Sequence, residues 1–231
     1  MKPLVVIPAR GGSKGLPGKN IKLLKGKPLI LYTVEVARSN FIDDVICVST
    51  DDQKIRSTVE ECGLKVPFIR PLDLASDASS MYDVLLHALD SYKSKGYVAD
   101  TVILLQPTSP FRTERHLKEA LSLYDSTCEM VVSVCETKAN PYFLLKEENE
   151  EGWLVNSKKA DFVRRQDCPK VYQLNGAIYI INVEILRAKA LNEFNYVKKY
   201  VMDKFSSIDI DDDLDWVVAE SVVDSKFNLS F

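Results

Sequence analysis

Residues 3–20 read P-L-V-V-I-P-A-R-G-G-S-K-G-L-P-G-K-N, an apolar, β-branched run followed at once by a glycine-rich, cationic loop. The run at residues 3–7 is typical of a short buried strand, and Pro8 marks its end. From Leu29 to Arg38 the apolar residues recur at helical spacing. The stretch therefore predicts strand, loop and helix in succession, the first unit of an alternating α/β fold.

The same alternation continues through the first half of the chain. Strands that are apolar throughout and separated by single helices indicate parallel strands with helices on both faces of the sheet. The predicted fold is thus α/β, with a doubly wound, mostly parallel sheet. Further strands are predicted at 43–49, 66–69, 101–105 and 130–135, and helices at about 53–62, 81–94 and 114–124.

The alternation breaks between residues 136 and 173. Segments 142–146 and 153–155 flank the turn sequence E-E-N-E-E-G and predict a hairpin. The main sheet is expected to resume afterwards, with strands at 177–183 and 207–210 and a last helix at about 213–224. The chain is accordingly divided into a core of residues 1–135 and 174–231 and an inserted lobe of residues 136–173.

The composition excludes several classes of protein. The chain has 231 residues, 46% of them hydrophobic and 27% charged, which is typical of a globular protein. A pI near 5.6 argues against a general nucleic-acid binder. No apolar run approaches the roughly 20 residues that cross a bilayer, and the first residues turn polar too early for a signal peptide. We expect a cytoplasmic protein that binds neither nucleic acid nor membrane.

Cysteine and histidine usage argues against a zinc site. The five cysteines contain no C-x-x-C pair, and His87 and His116 are the two histidines, each in a predicted helix. Any metal is therefore expected to be a hard cation held by oxygen ligands.

The net charge of -3 conceals a strong segregation of charge. Residues 1–34 contain seven Lys and Arg and no carboxylate, whereas residues 203–231 contain eight carboxylates and two lysines. Seven cations without a counter-charge repel one another unless an anion binds. The two ends of the chain are therefore the places where the chemistry is expected.

The loop after the first strand fits a polyphosphate. In open parallel sheets ligands bind beyond the carboxyl ends of the strands, where this loop lies. Its glycines can turn tightly and present backbone N–H groups, and Arg10, Lys14 and Lys19 add three cations within ten residues. Neither G-x-x-x-x-G-K-[ST] nor G-x-G-x-x-G fits the loop, so it is not a P-loop or a dinucleotide-binding fingerprint.

The acidic end offers two carboxylates for a cation. Asp209 and Asp211 flank Ile210 in the last predicted strand, where alternate side chains share a face. Mg²⁺ is commonly held by one or two carboxylates together with substrate phosphates, so it could join this segment to a triphosphate on the basic loop. A helix cap accounts for Asp212 and Asp213, but not for Asp209 inside an apolar strand.

Other polar side chains follow the middle strands of the predicted sheet. Arg70, Ser80 and Gln106 carry donors or acceptors at strand ends and are candidates to contact a base or a sugar. In the lobe, Arg165 is a candidate partner for a substrate carboxylate, although paired arginines are more often a solvated surface. Asn175 and Tyr179, where the sheet resumes, complete the candidates.

Four motifs together resemble those of the N-acylneuraminate cytidylyltransferases, also called CMP-sialic acid synthetases. They occur in the family's order from about residue 3 to residue 225. The resemblance implies a Rossmann-like nucleotidyltransferase fold that transfers CMP from CTP to the anomeric 2-hydroxyl of a nine-carbon 2-keto sugar acid, releasing pyrophosphate, with Mg²⁺ as cofactor. The motifs are I-P-A-R-G-G-S-K-G-L-P-G-K-N at 7–20, L-Q-P-T-S-P-F-R at 105–112, N-G-A-I-Y at 175–179 and S-I-D-I-D at 207–211.

The resemblance also implies roles for the matching positions. The cytidine would bind to Arg70 and Ser80, and Gln106 would contact the nucleotide or the sugar. Asp209 and Asp211 would bind the metal. The triphosphate would lie against Arg10, Ser13, Lys14, Lys19 and Asn20, and the sugar acid would meet Gln106, Arg165, Asn175 and Tyr179. The lobe resembles the family's dimerisation element, which reaches into the neighbouring subunit's site, so a homodimer is expected.

Catalysis of such a transfer should consist mostly of positioning and electrostatic stabilisation. Arg10 and Lys19 would offset the charge that develops on the departing pyrophosphate. Neither histidine is suited to take the proton of the attacking hydroxyl, so Asp211 or a metal-bound hydroxide is expected to assist.

One difference from the family's pattern affects which sugar acid is expected as the acceptor of CMP. Family members selective for N-acetylneuraminate often carry a lysine after the residue pair that corresponds to Asn140 and Pro141, where this chain has Tyr142. Deaminoneuraminate or legionaminate are therefore alternative acceptors. A 3-deoxy-manno-octulosonate cytidylyltransferase shares the fold and reaction but has a different first loop. A non-catalytic nucleotide-binding module is disfavoured by the retained Lys19 and acidic pair.

Overall fold

The computed structural model describes residues 1–76, 79–125, 127–159 and 161–228, with side chains described as far as residue 223. The strands are β1 Pro3–Pro8, β2 Leu23–Leu24, β3 Lys27–Pro28, β4 Ile46–Ser49, β5 Thr101–Leu104, β6 Met130–Glu136, β7 Lys146–Glu148, β8 Leu154–Asn156, β9 Tyr172–Asn182 and β10 Val197–Val201. The helices are α1 Leu29–Arg38, α2 Gln53–Glu61, α3 Met81–Ser94, α4 Glu114–Ser122, α5 Val183–Ala188 and α6 Asp213–Asn228.

Six strands form one sheet in the order β10-β6-β9-β5-β1-β4. The pairs β1 with β4, β1 with β5 and β10 with β6 are parallel, whereas β9 runs antiparallel to both β5 and β6. Alternate residues of β1 face opposite sides of the sheet, so Val5 packs with α1, α2 and α4, while Leu4 packs with α3 and α5. Helices cover both faces, and the predicted doubly wound, mostly parallel α/β fold is confirmed.

Two predicted strands are wrong. Residues 66–69 form no ladder, because Pro67 lacks the N–H that a ladder requires. The chain is held nearby by a backbone bond, from Arg70 N to the Thr50 carbonyl at 2.7 Å. Residues 207–210 also lie outside the sheet, with Ile210 N donating to the Thr108 carbonyl at 2.8 Å. The edge of the sheet next to β6 is formed instead by β10.

The segment between β6 and β9 lies outside the six-stranded sheet and contains the hairpin of β7 and β8. Its first strand starts at Lys146 rather than at Tyr142. The Asn140 carbonyl accepts bonds from the N–H groups of Phe143, Leu144 and Leu145, which turns the chain before the strand can begin. Among the described residues, no helix has the length and apolar character needed to cross a membrane.

Candidate active site

A cavity of about 550 Å³ lies beyond the carboxyl ends of β1 and β5, at the edge where an open α/β sheet binds its ligands. The first loop, the loop after β5 and the segment before α6 contribute its walls. The lining residues are Pro8, Arg10, Ser13, Lys14, Gly15, Lys19, Asn20, Arg70, Met81, Gln106, Pro107, Thr108, Asp209 and Asp211.

The first loop supplies the basic wall of the cavity and is held by specific contacts. Buried Asn20 donates from Nδ2 to the Arg10 carbonyl at 3.0 Å, which closes the loop on itself. Gly11 N donates to Asp51 Oδ1 at 3.0 Å. All five residues predicted to cradle a triphosphate line the cavity, and their cations and N–H groups suit a polyanion.

The loop packs directly against residues 207–211 from the other end of the chain, here called the acidic segment. Lys19 Nζ donates to the Ile210 carbonyl at 2.8 Å and to Asp211 Oδ1 at 2.9 Å. A Cβ at Gly15 would collide with the carbonyl oxygen of Asp211. The two oppositely charged ends of the sequence therefore meet across one cavity.

Asp209 has the environment expected of a cation ligand. It is half-buried, and its Oδ1 has no hydrogen-bond partner among the described residues. Burial raises the pKa of its carboxyl, a hydrogen bond with Thr108 lowers it, and the neighbouring Asp211 raises it further. A buried carboxylate oxygen without a donor is stabilised by a bound cation.

The acidic pair fits a hard cation that takes its remaining ligands from elsewhere. Within the described residues, no three His, Cys, Asp or Glu side chains are grouped so as to hold a metal by themselves. Two carboxylates on one wall of a basic cavity match the ligand set that Mg²⁺ takes when substrate phosphates and water complete its shell.

Arg70 forms a buried cation at the side of the cavity. Its Nε donates to Ser49 Oγ at 3.0 Å, and its Nη2 donates to the Ser49 carbonyl. Burial lowers the pKa of Arg70, while the charge of Asp51 raises it. Ser80, the other predicted cytidine contact, does not line the cavity: it begins α3, and its hydroxyl donates to Asp83 Oδ2 at 2.6 Å.

The residues predicted for the sugar are divided among three places. Gln106 lines the cavity. Tyr179 lies on β9, where burial and then the charge of Asp209 raise the pKa of its phenol. Arg165 lines a separate cavity of about 380 Å³ in the lobe.

Asn175 is buried and engaged in a polar network beneath the cavity. Its Oδ1 accepts from Ser133 Oγ at 2.6 Å, and its Nδ2 donates to Ser207 Oγ at 2.9 Å. The side chain therefore links β6 and β9 to Ser207, close to Asp209 in the chain. Its observed contacts are structural, with protein groups next to the cavity.

Sequence reasoning did not single out Thr108, Asp51 or Met81. Thr108 lines the cavity and lowers the pKa of the Asp209 carboxyl. Asp51 accepts from the N–H of Gly11 in the first loop, and Met81 adds an apolar side chain to the cavity wall. The position of Asp51 two residues after β4, at the carboxyl edge of the sheet, was a signal that could have identified it.

Comparison with known proteins gives consistent matches. A sequence model of the family described as Cytidylyltransferase matches residues 4–221. A CMP-N,N'-diacetyllegionaminic acid synthase from Legionella pneumophila is 34% identical over 226 residues, which cover 97% of each chain. An N-acylneuraminate cytidylyltransferase from Streptococcus agalactiae is 39% identical over 216 residues, which cover 91% of this chain. The present chain spans about half of that streptococcal relative, 51%.

A solved CMP-2-keto-3-deoxy-manno-octonic acid synthetase in complex with CTP superposes with a TM-score of 0.70. The match covers 98% of this chain and 100% of that one, at 20% identity. At this identity the similarity shows the fold.

Proposed function

The chain belongs to the cytidylyltransferase family, and we propose that it transfers CMP from CTP to the anomeric hydroxyl of a nine-carbon 2-keto sugar acid, with release of pyrophosphate. The observation that carries the proposal is the meeting of the basic first loop and the acidic segment around one cavity, joined by the contact of Lys19 with Asp211. A triphosphate and a divalent cation are the ligands that those two walls suit.

The reaction forms a bond between the anomeric oxygen of the sugar and the α-phosphorus of CTP. The bond from that phosphorus to the bridging oxygen breaks, and pyrophosphate leaves with the electron pair. Arg10 and Lys19 lie where they can offset the charge that accumulates on this leaving group. Asp211, largely exposed, can accept the proton of the attacking hydroxyl.

Asp209 and Asp211 are the residues that would hold Mg²⁺. The Oδ1 of Asp209, which has no hydrogen-bond partner in the described part of the chain, supports this assignment. When bound, the ion would neutralise phosphate charge and hold the triphosphate in line. The nucleotide itself would be oriented by Arg10, Asn20 and Arg70, which line the cavity.

The acceptor is proposed to be a sialic-type acid. The relatives from Legionella pneumophila and Streptococcus agalactiae are named for legionaminic and neuraminic acids, and Tyr142 follows Asn140 and Pro141 in the lobe. An eight-carbon octulosonate is the second candidate, supported by the shared fold at 20% identity.

A homodimer is also part of the proposal, with the lobe of one subunit at the cavity of the other. In a single chain Arg165 lies in the lobe and does not line the main cavity. In a dimer, Arg165 of one subunit would contact the substrate in the cavity of the other. The exposed apolar side chains of the lobe, among them Trp153, Leu154 and Val163, support such an interface. The five free cysteines support a reducing, cytoplasmic location.

Pyrophosphate release from CTP and Mg²⁺ with a panel of acceptors tests the function. The panel contains N-acetylneuraminate, deaminoneuraminate, N,N'-diacetyllegionaminate and 3-deoxy-manno-octulosonate. Release with at least one nine-carbon acid is expected. Release with the octulosonate alone would favour the second candidate, and CTP binding without release on any acid would indicate a nucleotide-binding module.

A further inference from the structure

The turn between Gln106 and Ser109 forms one side of the cavity, and it needs an anchor. Ser109 N donates to the Gln106 carbonyl at 3.4 Å, while Pro107 and Pro110 have no N–H to contribute. Thr108, at the tip, contacts the acidic segment through its backbone, since its carbonyl accepts from Ile210 N at 2.8 Å. Its hydroxyl also lowers the pKa of the neighbouring Asp209 carboxyl. The turn therefore holds the acidic segment at Ile210, the residue next to Asp209.

Arg112 is the anchor of the turn. The residue is 3% exposed, and its Nη1 donates toward three carbonyl oxygens, those of Gln106 at 3.3 Å, Ser109 at 3.3 Å and Ala177 at 2.9 Å. Its Nη2 donates to Thr33 Oγ1 on α1 at 2.8 Å. The group thus ties both ends of the turn to β9 and to α1.

The buried cation of Arg112 is costly and is not offset by an anion. Its partners are neutral, its Nε has no partner among the described residues, and burial lowers the pKa of Arg112 to about 9. A lysine could carry the charge, but it cannot present a planar fork to several oxygens at once. Arg112 is therefore better suited to fixing the position of the turn than to adding to the stability of the fold.

We propose that Arg112 is a positioning residue, which sets the place of Thr108 and, through Thr108, of Asp209 for the nucleotidyl transfer. The inference rests on the proposed function and deepens it. Arg112 does not line the cavity, so it acts through the turn and not on the substrate.

A double-mutant cycle between Arg112→Lys and Thr108→Val tests the proposal. Measured on folded protein well below the melting temperature, Arg112→Lys should lower kcat by about 10- to 100-fold. Because both residues act on Asp209 by one route, the double variant should be about as slow as the slower single variant. A control cycle pairing Arg112→Lys with Lys14→Ala, on the opposite wall, should be additive. Additive losses in the Thr108 cycle would overturn the proposal, since a residue that acts only on stability would not couple specifically to Thr108.

A second pair of variants covers the case in which Arg112→Lys does not fold. Thr33→Val removes the hydroxyl that holds Nη2 while keeping the shape, and Thr33→Ser restores it. Thr33→Val should lower kcat and Thr33→Ser should recover it. Equal kcat in wild type and Thr33→Val, with a lowered melting temperature, would contradict the positioning role.

The failure of the proposed function is distinguishable from the failure of this inference. If wild-type protein releases no pyrophosphate with any acceptor, the transferase proposal fails, and the same cycle is measured as CTP dissociation constants by calorimetry. Non-additive loss of CTP affinity between Arg112→Lys and Thr108→Val supports the positioning role, and additive loss overturns it.

Discussion

Lys19 and Asp211 are 192 residues apart in the chain, and 2.9 Å separate Lys19 Nζ from Asp211 Oδ1. The Lys19 side chain is 12% exposed and that of Asp211 is 74% exposed, so the lysine is held in place and the carboxylate faces solvent and cavity. An ion pair with one partner this exposed contributes little to folding. The pair matters because it places a cation and a carboxylate side by side in the lining of the cavity.

Replacing Asp211 by Asn should therefore affect turnover far more than stability. We expect kcat to fall by about 10²–10⁴-fold, the range for loss of a general base, because the amide neither takes a proton nor binds a cation well. The free energy of unfolding should change by less than about 1 kcal/mol, since the ion pair is exposed. Stopped-flow or coupled pyrophosphate assays and urea denaturation measure the two quantities.

Asp213→Asn is the matched control, because Asp213 is exposed at the start of α6 and does not line the cavity. This variant should turn over like the wild type. Near-normal turnover of Asp211→Asn would remove Asp211 from the mechanism.

For single residues, the charged side chains of the cavity could be predicted from the sequence, whereas the side chains that hold them in place could not. Three cations in a glycine loop and two alternating aspartates are visible in the sequence, and the structure brings them to one cavity. The roles of Thr108 and Arg112 arise from contacts with residues distant in the chain, which no local pattern reports. Asn175 was predicted as a sugar contact, but in the structure its side chain is hydrogen-bonded to Ser133 and Ser207.

Among the elements, the first loop and the acidic segment depend on close backbone approach at Gly15. Gly15→Ala would force its Cβ against the Asp211 carbonyl, so we expect a loss of about 1–3 kcal/mol in unfolding free energy and weaker CTP binding. Gly12→Ala is the control, because a Cβ there meets nothing within 4 Å. Its unfolding free energy, measured in parallel by urea denaturation, should match the wild type. Equal stability of the two variants would contradict the observed packing.

The elements themselves were predicted well where burial is continuous. β5 is buried over all four residues, β1 over its four central residues and β6 over its first five. α2 and α3 follow the N-caps Asp52 and Ser80. Residues 66–69 look equally apolar, but Pro67 prevents a ladder. β10 was missed because V-K-K-Y-V lies at the sheet edge, where side chains are mostly exposed and the apolar pattern is weak.

For the whole molecule, the exposed apolar side chains of the lobe predict self-association. Light scattering at micromolar concentration should give the mass of a dimer. A combined Leu154→Glu and Val163→Glu variant should become monomeric and lose turnover, because these side chains are 72% and 88% exposed and charges would oppose their burial. Ile42→Glu, at an apolar site 69% exposed outside the lobe, should remain a dimer. A wild-type monomer would contradict this assembly.

The most direct test of the central claim follows the phosphorus atoms of CTP. Phosphorus NMR of the protein with CTP, Mg²⁺ and a nine-carbon sugar acid should show the triphosphate signals replaced by pyrophosphate and a phosphodiester in equal amounts, the latter from the CMP-linked sugar. Unchanged CTP with every nine-carbon acid, or phosphate release without a phosphodiester, would contradict the proposed transfer of CMP.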